Sequence, residues 1–163
     1  MLSKYRTIEQ LAAALRSIFG FGNFGYHVRA YNNANITIGT GAATVLTLNT
    51  GQIDPYDMHS TVSNTSRLTS TLSGWYTISS AVEFESNATG IRIVYIVYGG
   101  ATHIAQNSTT ALNGFTTRLS VNSQYYLSDG DYVETFVYQN SGGDLDIVAS
   151  GNYSPFFMMS RIA

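Results

Sequence analysis

From about Tyr26 to the end of the chain, apolar and polar side chains alternate in short runs, and clusters of Gly, Asn, Asp and Ser break the runs. Such alternation with frequent turn residues is the pattern of successive β-strands. It predicts strands over Ala43–Leu48, Ser66–Thr71, Trp75–Glu85, Ile91–Tyr98, Gly114–Val121, Tyr132–Tyr138 and Phe156–Ile162. In the strand from Trp75 to Glu85, Tyr76, Ile78, Val82 and Phe84 fall on one face and Thr77, Ser79, Glu83 and Glu85 on the other, so one side is expected to meet a core. Ile91–Tyr98 and Tyr132–Tyr138 are apolar or aromatic on both faces, and their second face therefore needs cover from an arm, a loop or another chain. Asp129-Gly130 and Asn113-Gly114 supply turn residues that tolerate positive φ. With no second helical pattern, these strands predict an all-β antiparallel sandwich of the jelly-roll type over residues 27–163.

Residues 1–26 read differently. Thr7-Ile8-Glu9-Gln10 fits a capping box, and Ile8, Leu11, Leu15 and Ile18 recur at helical spacing until Gly20 ends the run. A helix this short is marginal alone and needs a surface, either its own sheet or a partner. Phe19, Phe21, Phe24 and Tyr26 then alternate with glycines, which gives a flexible arm with apolar side chains. The arm either folds back on its own subunit or grips a neighbour. Ile8, Leu11, Leu15, Ile18, Phe19, Phe21 and Phe24 are the candidate anchoring residues.

Composition narrows the function. Charged residues are 11% of the 163, less than half the usual share, and eight basic side chains face ten acidic ones. No basic stripe suited to phosphate exists, so nucleic acid is not an expected partner. No apolar run reaches bilayer length, so no membrane span is expected. The absence of cysteine excludes disulfides and thiolate metal sites. His27, His59 and His103 lack ligand-like spacing, and no strained elbow or neighbouring base marks a nucleophile, so neither an enzyme nor a cofactor is expected. His59 lies near Asp57, where a hydrogen-bonded loop histidine is the expectation. Asp129/Asp131 and Asp144/Asp146 are weak calcium candidates that turn formation also explains. Tyr125, Tyr126, Tyr153 and Asn152 suit either a glycan or a subunit contact.

Three segments in order resemble the globular C1q domain: Gly74-Trp75-Tyr76-Thr77-Ile78-Ser79, then Leu127-Ser128-Asp129-Gly130-Asp131-Tyr132-Val133, then the closing strand Phe156–Ile162. Met58-His59-Ser60, Ser66-Arg67-Leu68-Thr69 and Asn87-Ala88-Thr89-Gly90-Ile91-Arg92 are similar to the variant found in bacteriophage virion proteins. The resemblance spans about residues 45–162 and implies a ten-stranded C1q/tumour-necrosis-factor-like jelly roll that trimerises. It implies that Val133, Thr135 and Val137 face the core while Tyr132, Glu134, Phe136 and Tyr138 form the trimer interface. Met158 departs from a glycine common in the family's last strand, and no collagen stalk precedes the domain. The expected function is a non-enzymatic, trimeric capsid decoration or head-fibre protein on the outer surface of a virion. Its partners would be itself and a major capsid or other virion protein. The rival is a receptor- or glycan-binding head of a tail fibre or cell-surface protein, working outside the cell.

Overall fold

The computed structural model describes residues 25–163, and the expected helix and anchoring residues from Ile8 to Phe24 lie outside them. Twelve strands follow one another: β1 (His27–Tyr31), β2 (Ile36–Ile38), β3 (Thr44–Val45), β4 (Thr50–Ile53), β5 (Arg67–Thr69), β6 (Gly74–Phe84), β7 (Ile91–Tyr98), β8 (Thr102–Thr110), β9 (Thr117–Leu127), β10 (Tyr132–Gln139), β11 (Leu145–Ile147) and β12 (Phe156–Arg161). All pairings are antiparallel and make two sheets. One has seven strands in the order β2-β11-β6-β12-β1-β4, with β9 on the other edge of β6. The second has five, β3-β10-β7-β8, with β5 beside β3 on the same edge of β10.

The core lies between the sheets and is filled by alternate residues. Strand β6 sends in Tyr76, Ile78, Val82 and Phe84, as its parity requires, and these meet Val94 and Ile96 of β7 and Val133 and Val137 of β10. Ser80 shares that parity and is also buried; its hydroxyl donates to the Phe156 carbonyl at 3.0 Å, so burial leaves the group satisfied. On the opposite face of β6, Glu83 departs from the expected exposed position. It is buried, and Arg118 Nη2 donates to its Oε1 at 3.1 Å.

Several strands differ from expectation for one reason: backbone pairing does not require an apolar face. β8 was not expected, because Thr102–Thr110 has no apolar periodicity, yet it pairs with β7 along its whole length. β9 runs on to Leu127 rather than ending at Val121, since Leu127 to Thr117 pair continuously with Gly74 to Phe84. Conversely, only Thr44 and Val45 of the expected strand Ala43–Leu48 join the ladder; Leu46 and Leu48 remain buried and donate their amides to the Thr135 and Thr65 carbonyls. The short strands β1, β2 and β4 were also unforeseen, and with β11, expected after the Gly142-Gly143 turn, they raise the count above ten.

The segment Asn87 to Arg92 is a structural clasp. Arg92 is fully buried and donates to the carbonyls of Thr89 at 2.9 Å, Ile91 at 3.1 Å and Asn87 at 3.2 Å, which ties down the β6–β7 loop. Gly90 holds φ at +81° against Asn140, whose Oδ1 accepts the Ile91 amide at 2.6 Å. In the β9–β10 hairpin Gly130 has φ +86°, and the Asp131 carboxylate accepts the Ser128 amide at 2.8 Å.

Candidate functional site

The expected chemistry is dispersed. His27 lies on β1, His59 in the β4–β5 loop and His103 on β8. His59 is anchored without Asp57: its Nδ1–H donates to the Arg67 carbonyl at 3.0 Å, and its amide donates to Asp54. No group of three or more His, Cys, Asp or Glu side chains gathers among the described residues. Of the calcium candidates, Asp131 is committed to its hairpin, and Asp146 accepts from Thr37 at 2.7 Å and from Asn35 at 3.1 Å. Asp129 sits at the hairpin tip, where its amide donates to Ser73, and Asp144 lies just before β11. No helix among the described residues is long and apolar enough to cross a membrane.

The outer faces of the two sheets remain. On the five-stranded sheet, β7 turns Ile93, Tyr95 and Val97 outward and β10 turns Tyr132, Glu134, Phe136 and Tyr138 outward, opposite the core residues Val133 and Val137. Part of the cover that this second apolar layer was expected to need comes from within the subunit. Tyr95 is 6% exposed and Val97 2%, although neither belongs to the core between the sheets. Tyr95 is stacked between His103, at 4.6 Å between ring centroids, and Phe136, at 5.8 Å. Val97 pairs with Glu134 and His103 across the sheet. Glu134 is buried but not a defect in the layer: Ser66 Oγ donates to its Oε1 at 2.7 Å and Arg67 Nε at 3.3 Å, while the Arg67 guanidinium lies 3.9 Å from the centre of the Tyr132 ring. Side chains remote in sequence therefore cover much of this face, leaving Tyr132, Phe136 and Tyr138 half-buried.

The outer face of the seven-stranded sheet is more open. Across β9, β6, β12 and β1 it presents rows such as Asn122, Ser79, Met158, Arg29 and Ser120, Ala81, Phe156, Tyr31. On β6 and β9 these side chains are small or polar, whereas Met158, Phe156, Arg29 and Tyr31 on β12 and β1 are large and half-buried. At one end Trp75 and Tyr126, paired in register, meet edge to face at 6.0 Å and are 50% and 49% exposed. At the other, Tyr153, Phe156, Ala81, Leu119 and Arg118 line a mainly apolar cleft of about 240 Å³ above Glu83. Burial there raises the Glu83 carboxyl, but hydrogen bonds from Thr116, Arg118 and Ser150 and the Arg118 charge outweigh it and hold the group below the usual carboxylate range.

This two-sheet arrangement has counterparts among solved structures. A tumour-necrosis-factor protein, Eiger, from S. frugiperda superposes with a TM-score of 0.59 at 12% identity, covering 84% of this chain and 92% of the other. Murine APRIL gives 0.60 at 10% identity over 83% of this chain and 98% of its own. The globular domain of zebrafish complement 1qA gives 0.59 at 14% identity over 84% and 97%. The fold is the C1q/TNF-like jelly roll. No protein-family model and no curated protein sequence matches the chain.

Within this jelly roll, the β10 residues lie on the sides that the resemblance implied, while Trp75, the partner of Tyr126, was not among the candidates. Trp75 has the opposite parity to Tyr76 and Ile78, so its outward position was legible in the sequence. The expected sugar-contact residues do not form one surface. Tyr126 faces outward, whereas Tyr125 packs beneath against Tyr98 at 5.3 Å, and Tyr153 lies by the cleft near Arg118. Of the aromatic arm, the described end folds back: the Tyr26 ring stacks on Tyr56 at 4.2 Å, and Gly25 lies so close to the Tyr56 ring that a Cβ would come within 2.8 Å of its hydroxyl oxygen.

Proposed function

We propose that this chain is a non-enzymatic structural module that assembles as a homotrimer and is fastened through residues 1–26 to the outer surface of a bacteriophage capsid, as a decoration or head-fibre protein. The observation that carries the self-association is the outer face of β6 and β9, with Trp75 and Tyr126 paired edge to face and half in water. Ser79, Ala81 and Ser120 leave room on β6 and β9 for a second subunit, and exposed paired aromatics supply the contact area that interfaces concentrate. The interface expected from sequence, Tyr132, Glu134, Phe136 and Tyr138, stands as the second candidate. Its support is the half-buried Phe136 ring above Tyr95.

The virion reading rests on the ordered sequence resemblance, on the low charge and on the apolar character of Ile8, Leu11, Leu15, Ile18, Phe19, Phe21 and Phe24. A major capsid protein is the partner this anchor would grip. The mass of the full-length protein in solution at micromolar concentration tests the assembly, with three chains expected. Binding of full-length and 27–163 chains to capsids lacking the protein tests the anchor. A monomer ends the first reading, and equal binding by both lengths ends the second.

A further inference from the structure

A polar pocket lies between the β4–β5 loop, β5 and the start of β10. It has a volume of about 270 Å³, and its lining includes Asp57, Ser60, Ser63, Asn64, Arg67 and Tyr132. Its frame is fixed. The Asp54 carboxylate accepts the amides of Met58 and His59, Met58 is buried in the core, and the Thr69 amide donates to the Met58 carbonyl at 2.7 Å. His59 adds the bond to Arg67 described above. Asp57 at φ +53° and Asn64 at φ +49°, the two non-glycine residues of positive φ among the described residues, both line the pocket.

The polar groups of the lining are left over from folding. The Arg67 Nε is engaged by Glu134, but its Nη groups have no hydrogen-bond partner among the described residues, and neither do the Asp57 carboxylate, the Asn64 amide or the Ser63 hydroxyl. Ser60 Oγ accepts two amides, from Val62 and Ser63, which leaves its hydroxyl hydrogen to donate. Donors and a strong acceptor thus converge on one small space.

We infer that this pocket binds one neutral hexose unit of a saccharide. Sugar hydroxyls donate and accept at once, which suits a carboxylate facing a guanidinium, an amide and hydroxyls. Other ligand classes fit less well. Glu134 already neutralises Arg67, and Asp57 adds a negative charge, so an acidic ligand is disfavoured; the Arg67 Nη groups disfavour a cation. The lining is predominantly polar, which argues against an apolar ligand, and the volume falls just below the ~300 Å³ at which drug-sized pockets begin, so it suits a single ring. Arg67 covers one face of Tyr132, so recognition proceeds through hydrogen bonds rather than ring stacking on that face. A single subunit or an assembly through the β6–β9 face leaves the pocket open, whereas burial of the β10 face would close it, because Tyr132 belongs to both.

The test is an amide-resolved NMR titration of the full-length protein with the methyl glycosides of glucose, galactose, mannose and N-acetylglucosamine, and with glucuronate and glucosamine as charged counterparts. At least one neutral glycoside should move the amides of Ser60, Ser63, Asn64 and Arg67 saturably, and the charged sugars should bind about tenfold more weakly or worse. Asp57→Asn keeps a residue that tolerates positive φ, and Ser63→Ala touches only the rim. Each should weaken binding about tenfold while the remaining spectrum stays put. The inference is overturned if no neutral glycoside moves these amides, if glucuronate binds as tightly, or if both variants bind like the wild type. The mass of the same sample reads the trimer separately, so either idea can fail alone.

Discussion

Replacing Trp75 with aspartate separates the two candidate interfaces. A tryptophan side chain presents roughly 250 Å², and Trp75 is 50% exposed in the single subunit. Covering that remainder removes about 120 Å² from water, worth about 3 kcal/mol at ~25 cal/mol per Å². A loss of that size weakens each subunit contact about a hundredfold, and an unpaired carboxylate in the contact adds a desolvation cost. Within one subunit the change is milder. It removes the edge-to-face contact with Tyr126 and puts a poor strand former on β6, together about 1–2 kcal/mol, against a typical total stability of about 5–15 kcal/mol. Trp75→Asp should therefore give folded monomers, read by light scattering beside far-ultraviolet circular dichroism. Phe136→Asp and Tyr138→Asp should leave the trimer standing. The reasoning is refuted if Trp75→Asp keeps the wild-type mass, and the β10 face takes its place if the Phe136 and Tyr138 variants dissociate instead.

Three further outcomes concern the fold. The folded Glu83 carboxyl titrates below its unfolded value, so its contribution is present above the unfolded value and is lost as pH falls through the lowered one; Glu83→Gln should flatten that part of an acid-stability curve. Arg92→Met removes three part-buried hydrogen bonds from a charged donor and should cost about 3 kcal/mol in denaturant unfolding. Gly90→Ala puts a Cβ 2.5 Å from the Asn140 carbonyl oxygen at φ +81°, whereas Gly114→Ala at φ +77° meets open space. The second should cost about 1 kcal/mol and the first clearly more, as melting temperatures of the two variants will show.

Much of the architecture was readable along the chain because side-chain parity in a strand is a local property. Tyr76, Ile78, Val82 and Phe84 point inward in the structure as their spacing requires, and Val133 and Val137 do so as the resemblance implied. The all-β class, the hairpin at Asp129-Gly130 and the doubly apolar character of β7 and β10 follow from the same kind of reading. Strand length was less legible. β8 and the second half of β9 are strands because a neighbour offers its backbone groups, and no side chain in Thr102–Thr110 announces that neighbour.

What covers an apolar face is settled in three dimensions. Nothing near Val97 in sequence says that Glu134, paired with Arg67, will lie beside it, or that Phe136 will stack on Tyr95. Those partners arrive from strands up to 67 residues apart in the chain, brought together by sheet order. For the same reason the open surface moved. Residues that looked exposed by composition found cover within their own subunit, while Trp75 and Tyr126, adjacent only through the β6–β9 register, were left facing water. Local chemistry chooses which side of a strand is apolar; the packing of distant strands chooses which apolar side remains uncovered.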